Sequence, residues 1–255
     1  MTQSVRDLEN TFARAFVLLV RNWSIVIPGL VLGAIGFGLG FAILALVGGT
    51  VAIGGVAGNE AVSTLPEELM SILAAVVAVI LALVTLICEM AYVTGMAGAA
   101  WKGGTARLRD GYEAFRGRGT QIFIAIVLLS LAGFVAAVLA PVTLLLSAAA
   151  YAIFSIYTMA AVIIGNRSAL EGIAESCRLA WKNILPTLAV VLLVVLVAAA
   201  GGWIGGTLGR LAPIVSGLLE ALVQQIVVAY ATLVIAGEYL KLREPGPLPE
   251  IPPGT

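Results

Sequence analysis

Charged residues gather in a few short segments of this chain, and between them run long stretches that are almost wholly apolar. A helix that crosses a bilayer needs about 20 mostly apolar residues. Six stretches meet that length, at about 24–48, 69–99, 121–140, 141–165, 184–207 and 213–240. Pro141 divides what is otherwise a single run from 121 to 165, too long for one span. Proline disfavours helix at the residue before it, so a hairpin turn is predicted there.

The charged segments have their own period. In 168–183, SALEGIAESCRLAWKN, helical spacing puts Leu170, Ile173, Ala174, Cys177 and Trp181 on one face. Glu171, Glu175, Arg178 and Lys182 fall on the opposite face. Ser168 and Glu171 form an S-x-x-E capping box. Such a helix lies in the membrane interface with its apolar side down. Residues 3–22 repeat the pattern with Val5, Leu8, Phe12, Ala15 and Leu19. Residues 104–118 repeat it more weakly, with Leu108, Tyr112 and Phe115, because Gly103, Gly104 and Gly111 lower helix propensity. Trp23, Trp101 and Trp181 stand at or near the ends of these segments, where indoles anchor at headgroup level. Each segment precedes two spans. The expected architecture is therefore all-α: one six-span membrane domain over 1–243, built as a threefold pseudo-repeat of interfacial helix plus two-span hairpin. The junctions VRNWSIVIPG and AWKNILPTLA support the repeat, each leading through an asparagine into a span with an early proline. Residues 244–255, with five prolines, read as a mobile tail.

Composition narrows the class. The 255 residues are 61% hydrophobic and 11% charged, with no histidine. A soluble domain carries about 25% charged residues, so a soluble globular fold is set aside. The formal net charge is zero, so charge gives no argument for nucleic acid. All 14 Lys and Arg residues except Arg210 fall on one side of a six-span layout. The loop 49–68 carries Glu60, Glu67 and Glu68 but no base. The positive-inside rule then puts both termini in the cytoplasm of a multi-pass plasma-membrane protein. The N-terminus does not read as a signal peptide. Cys88 and Cys177 form no disulfide, zinc or haem pattern, so no metal or cofactor is expected.

The stretch NRSALEGIAESCRLAWKNILPTLAVVLL resembles the junction of spans 4 and 5 in the integral-membrane domain found beside some glycerophosphoryl diester phosphodiesterases. Related stand-alone six-span proteins of bacteria and archaea share the pattern. The matching residues are Ala169, Ser176, Trp181, Lys182 and Asn183, and GMAGAAWKGGTARLRDGYEAFRGR at 95–118 resembles the family's second cytoplasmic segment. The resemblance implies a six-span prokaryotic membrane domain. It does not imply the hydrolase, whose separate barrel and histidines this sequence does not hold.

Several residues are candidates for more than packing. Glu89 falls near mid-membrane, with Thr85 and Tyr92 on its face, as an ion, proton or headgroup site or as an acid that fixes helix packing. Ser147, Tyr151 and Ser155 form a polar stripe with Thr158 that lines a cavity with Glu89 or hydrogen-bonds between helices. Lys102, Arg107, Arg109, Arg116 and Arg118 form a basic segment for anionic lipid headgroups or for topology alone. The glycine pairs Gly29–Gly33, Gly36–Gly40, Gly201–Gly205 and Gly202–Gly206 permit close helix approach, within the monomer or across a dimer seam. Catalysis fares badly. Without histidine there is no Ser-His triad and no H-E-x-x-H, and Asp7 and Asp110 are the only aspartates. The expected function is a non-catalytic membrane domain acting through lipids or another membrane protein. The alternative is the permease subunit of an ATP-driven exporter, with a separate ATPase and 104–118 as its coupling helix.

Overall fold

The computed structural model describes residues 3–36, 38, 67–143, 145–211 and 216–243. Loop 49–66, the end of the first predicted span and the tail 244–255 lie outside the described residues. The described chain is all-α, with no strand. Its helices are α1 (Gln3–Arg21), α2 (Trp23–Gly36, opening with the 3₁₀ turn Trp23–Val26), α3 (Glu67–Gly103) and α4 (Leu108–Leu139). Then come α5 (Leu146–Ser155), α6 (Thr158–Ile163), α7 (Ala169–Lys182), α8 (Ile184–Leu211) and α9 (Ser216–Arg243).

Among the described residues, 4 helical segments are long and apolar enough to cross a membrane, or 5 if the bent pair α1–α2 counts as one. Their most apolar windows are only 17% to 33% buried inside the protein. Phe134, Val142, Leu196 and Trp203 all stand outward. A bundle in water would hide such surface, since contiguous exposed apolar patches are rare on soluble proteins. The chain is a multi-pass membrane protein, and these faces meet lipid.

Local rules set the element ends. Ser168 caps α7 by accepting the Glu171 N–H at 3.4 Å, and the Glu171 carboxylate accepts the Ser168 N–H at 3.0 Å. The chain turns at 140–143, around Pro141, and again at 145, where a hairpin is expected. Leu145 adopts a left-handed conformation there (φ 68°). Two helix junctions are near copies. Asn22 (φ −119°, ψ 54°) and Asn183 (φ −129°, ψ 49°) each break a helix for one residue. Asn22 sends both its N–H and its Nδ2 to Leu18 O at 2.9 Å, and Asn183 sends both to Leu179 O at 3.0 Å. The first elbow turns α2 by 86° from α1. Asn22 also donates to Gly104 O and accepts the Ala106 N–H at 2.7 Å, stapling the α3–α4 connection to the elbow.

Segment 104–118 departs from expectation. It is not a separate interfacial helix, because from Leu108 onward it forms the first turns of one continuous 32-residue α4. Gly95 and Gly111 explain how. They let α3 and α4 approach so closely that a Cβ on Gly111 would meet the backbone of Tyr92 at 3.0 Å. Packing against α3 outweighs the weak propensity of the glycines.

Trp101 also corrects its expected role. It is no interfacial anchor: it is 3% exposed, wedged between α3 and α9, and donates its indole N–H to Leu233 O at 2.8 Å. Gly237 makes the space, since a Cβ there would collide with the ring. The glycine pairs divide likewise. Gly201 and Gly205 pack on Val227 and Glu220 of α9, whereas Gly202 and Gly206 face open space. Gly237→Ala should therefore cost about 1–3 kcal/mol through overpacking. Gly202→Ala, with open space around it, should hold or raise the thermal midpoint. Melting both variants in one detergent checks the contrast.

Candidate functional site: a buried polar network

The predicted intramembrane site does not come together. Glu89 turns to α9, where its carboxyl pairs with the side-chain amide of Gln225. Thr85 donates to Leu81 O at 2.9 Å and lies beside Gly36 of α2. Tyr92 packs against α4, on Gly111 and on Phe115 with ring centroids 6.3 Å apart. The stripe on α5 faces α4 instead. Ser147 donates to Ala136 O at 2.8 Å, and Tyr151 donates to Leu129 O at 3.0 Å and also pairs with Ser155. Gly133 leaves room for the Tyr151 ring. The Ser147 and Tyr151 bonds to α4 are interhelical, and Glu89 pairs with a different helix, α9.

The densest polar cluster lies elsewhere, where α1, α6, α7, α8 and α9 meet. It starts with a break between α5 and α6. The break frees the Phe154 carbonyl and the Tyr157 N–H. Ser176 of α7 answers both, donating to Phe154 O at 2.7 Å and accepting from Tyr157 N at 3.1 Å. The Tyr157 hydroxyl lies 3.4 Å from Thr187 Oγ1 on α8. Thr158 Oγ1, beside the break, is the one buried side-chain oxygen without a hydrogen-bond partner among the described residues.

Next to Ser176, Glu175 is buried, contrary to its expected place on the solvated face of α7. Its Oε2 accepts Arg167 Nε at 2.7 Å. Its Oε1 accepts the Tyr239 hydroxyl at 2.8 Å, with Arg243 Nε at 3.9 Å. The hydrogen bond to the Glu175 carboxylate holds the Arg167 guanidinium above its ordinary pKa. Arg118 continues the chain of contacts, donating to Asn166 O at 2.9 Å and Arg167 O at 3.3 Å. It is therefore bound to the protein, which removes it from the basic surface expected for lipid. Arg109 is paired with Glu113 at 2.7 Å on the surface. Lys102, Arg107 and Arg116 stay exposed, with no side-chain ion pair among the described residues.

A second buried acid, Glu238, is 0% exposed on the last turns of α9. It accepts Thr11 Oγ1 of α1 at 3.3 Å and pairs with Lys241 at 3.5 Å. Sequence reasoning missed both acids in these roles. Glu238 gave a signal, being an acid inside the apolar stretch 213–240. Glu175 gave none, because its helical position groups it with exposed charges.

No family model, no curated protein and no solved structure matches this chain. The chemistry must be read from the site itself. Glu175 is held by Arg167 of the α6–α7 loop and by Tyr239 and Arg243 of α9, and Glu238 by Thr11 of α1 and Lys241 of its own helix, so the arrangement ties α1, α7 and the α6–α7 loop to α9. Among the described residues no group of three His, Cys, Asp or Glu is placed to hold a metal.

Glu175→Ala leaves Arg167 and Tyr239 without their acceptor and should cost about 3 kcal/mol, the scale for removing one partner of a buried pair. Hydrogen exchange should quicken first in α7 and the 164–168 loop. Acid acts on a neighbour. The Ser168 N–H holds the exposed Glu171 carboxyl below its ordinary pKa. A depressed folded pKa contributes stability above the ordinary carboxylate range and loses it as pH falls through the folded value. The first turn of α7 should therefore fray below about pH 4, and Glu171→Gln should remove that dependence.

Proposed function

We propose that this chain is a six-span, non-catalytic domain of the cytoplasmic membrane with both termini in the cytoplasm. It acts through lipid and protein contacts, in envelope maintenance or as the accessory subunit of a membrane complex. One observation carries the reading. The buried acids Glu175 and Glu238 are held by the chain's own groups, whereas Lys102, Arg107 and Arg116 stand on the surface. The interior is occupied by contacts between helices, and the bases face outward towards an anionic partner. The 37-residue α3 adds a long apolar helix to the segments that suit a membrane, in keeping with six spans. The resemblance to the membrane domain found beside glycerophosphoryl diester phosphodiesterases agrees with a membrane role without hydrolysis. The exporter reading, drawn from an elbow helix, six spans and a basic segment, is less favoured because the segment it needs as a coupling helix, 104–118, runs on into α4.

Native mass spectrometry tests this on protein extracted from its own membrane in a detergent-free polymer. The expected spectrum shows a few retained anionic lipids. Exchanging Lys102, Arg107 and Arg116 together for glutamine should strip them about tenfold, if each base near the surface is worth about 1 kcal/mol and half of that is lost to screening. A stoichiometric ATPase in the spectrum would sink the proposal and restore the exporter subunit.

A further inference from the structure

α1 and α7 each have three faces. On α1, Thr11, Ala15, Leu18 and Asn22 turn inward. On α7, Ala169, Gly172, Glu175, Ser176 and Ala180 do the same. A second face is apolar and turned outward: Phe16 is 59% exposed, Val20 62%, Leu170 69% and Trp181, whose inner ring face stacks on Phe154, 75%. The third is polar, carrying Glu171, Arg178 and Lys182 on α7.

The elbows say what covers the apolar face. α1 stands at 86° to α2, so a span along the membrane normal lays α1 in the membrane plane. Asn183 repeats the torsions of Asn22 at the α7–α8 junction, and α8 is itself long and apolar enough to span. An apolar helix face at the root of a span, rimmed by bases and by an exposed indole, fits the outer acyl region of one lipid leaflet. Both helices enter the same leaflet, because both are tied to the last turns of α9 through Glu238 and Glu175. Each helix covers on the order of 200–300 Å² of that leaflet, from its length and a helix width of about 10 Å. At the opposite end, α4 stops at Leu139 and α5 begins at Leu146.

We propose that α1 and α7 act as paired wedges in one leaflet, so that the domain gathers on, and stabilises, membrane that is convex on the side bearing them. The partner is a lipid surface, and the proposal rests on the lipid-contact reading above. Wedging follows from area: amphipathic helices expand the leaflet they enter, and their binding depends on curvature for that reason.

The test uses the full chain in giant vesicles of phosphatidylcholine with a minority of phosphatidylglycerol. An N-terminal tag is labelled with a membrane-impermeant dye, so only molecules with α1 in the outer leaflet are seen. Narrow tubes are then drawn outward from the vesicle. The wild type should be enriched on the tube by about twofold or more over the vesicle wall, as expected of a curvature-sensitive insertion. The triple variant Phe16→Gln, Val20→Gln, Leu170→Gln changes only outward side chains and should spread evenly, at an unchanged thermal midpoint. If its midpoint falls, Leu170→Gln alone replaces it and should show reduced enrichment. Even density of the wild type, or full enrichment of a variant that melts normally, would overturn the wedge. Anionic lipid still co-purifying with an evenly spread wild type sinks the wedge and leaves the lipid-contact reading standing.

Discussion

A break in a membrane helix frees backbone groups that lipid cannot satisfy. The gap between α5 and α6 is such a break, and Ser176 closes it from another helix by serving the Phe154 carbonyl and the Tyr157 N–H at once. That contact fixes both the position and the rotation of α7. A turn of α7 about its axis would orphan two backbone groups in a medium without water. With Ser176 fixed, its neighbour Glu175 has no route to solvent and must find its cations and its hydroxyl inside the protein. The burial of a carboxylate is here a consequence of satisfying a backbone.

α9 is the post to which the other elements are tied. Within its final turns it accepts the Trp101 indole at Leu233, thins at Gly237 to admit that ring, and offers Glu238 to α1 and Tyr239 to α7. A buried ion pair is weak evidence for net stability, since desolvation offsets much of its attraction. Its effect is on geometry. A charge that is satisfied in one place and unsatisfied in every other selects one packing of α1, α7 and α9 from the many that apolar contacts would accept.

What could be read in advance was whatever local chemistry decides. Ser168 and Glu171 cap a helix in this sequence context wherever it sits. Pro141 ends a helix because it has no N–H to return to the preceding turn. Asn22 and Asn183 announce matched elbows because an asparagine can return its own amide to the preceding turn. What stayed hidden was decided by neighbours distant in sequence. Trp101 looks like a headgroup anchor until Gly237 opens α9 to it. The glycines of 104–118 lower helix propensity, yet Gly111 fits against the Tyr92 backbone and the helix runs on. Glu89 and the α5 stripe share a plausible depth, but α4 claims the stripe and Gln225 claims the acid.

The misplacement of Glu175 has a more general cause. A helix on a soluble protein divides its circumference between core and water, and one apolar stripe identifies the buried side. An interfacial helix divides it among protein, lipid and water. Its most apolar stripe can then be the one turned outward, as with Leu170 and Trp181, while the protein side is made of small residues that allow close approach, Ala169, Gly172, Ser176 and Ala180. Among small residues a single carboxylate fits easily, and nothing in its own spacing tells it apart from the carboxylates facing water. For such helices the small-residue stripe, not the hydrophobic one, marks the side against the fold, and a charge falling beside it is the one to follow inward.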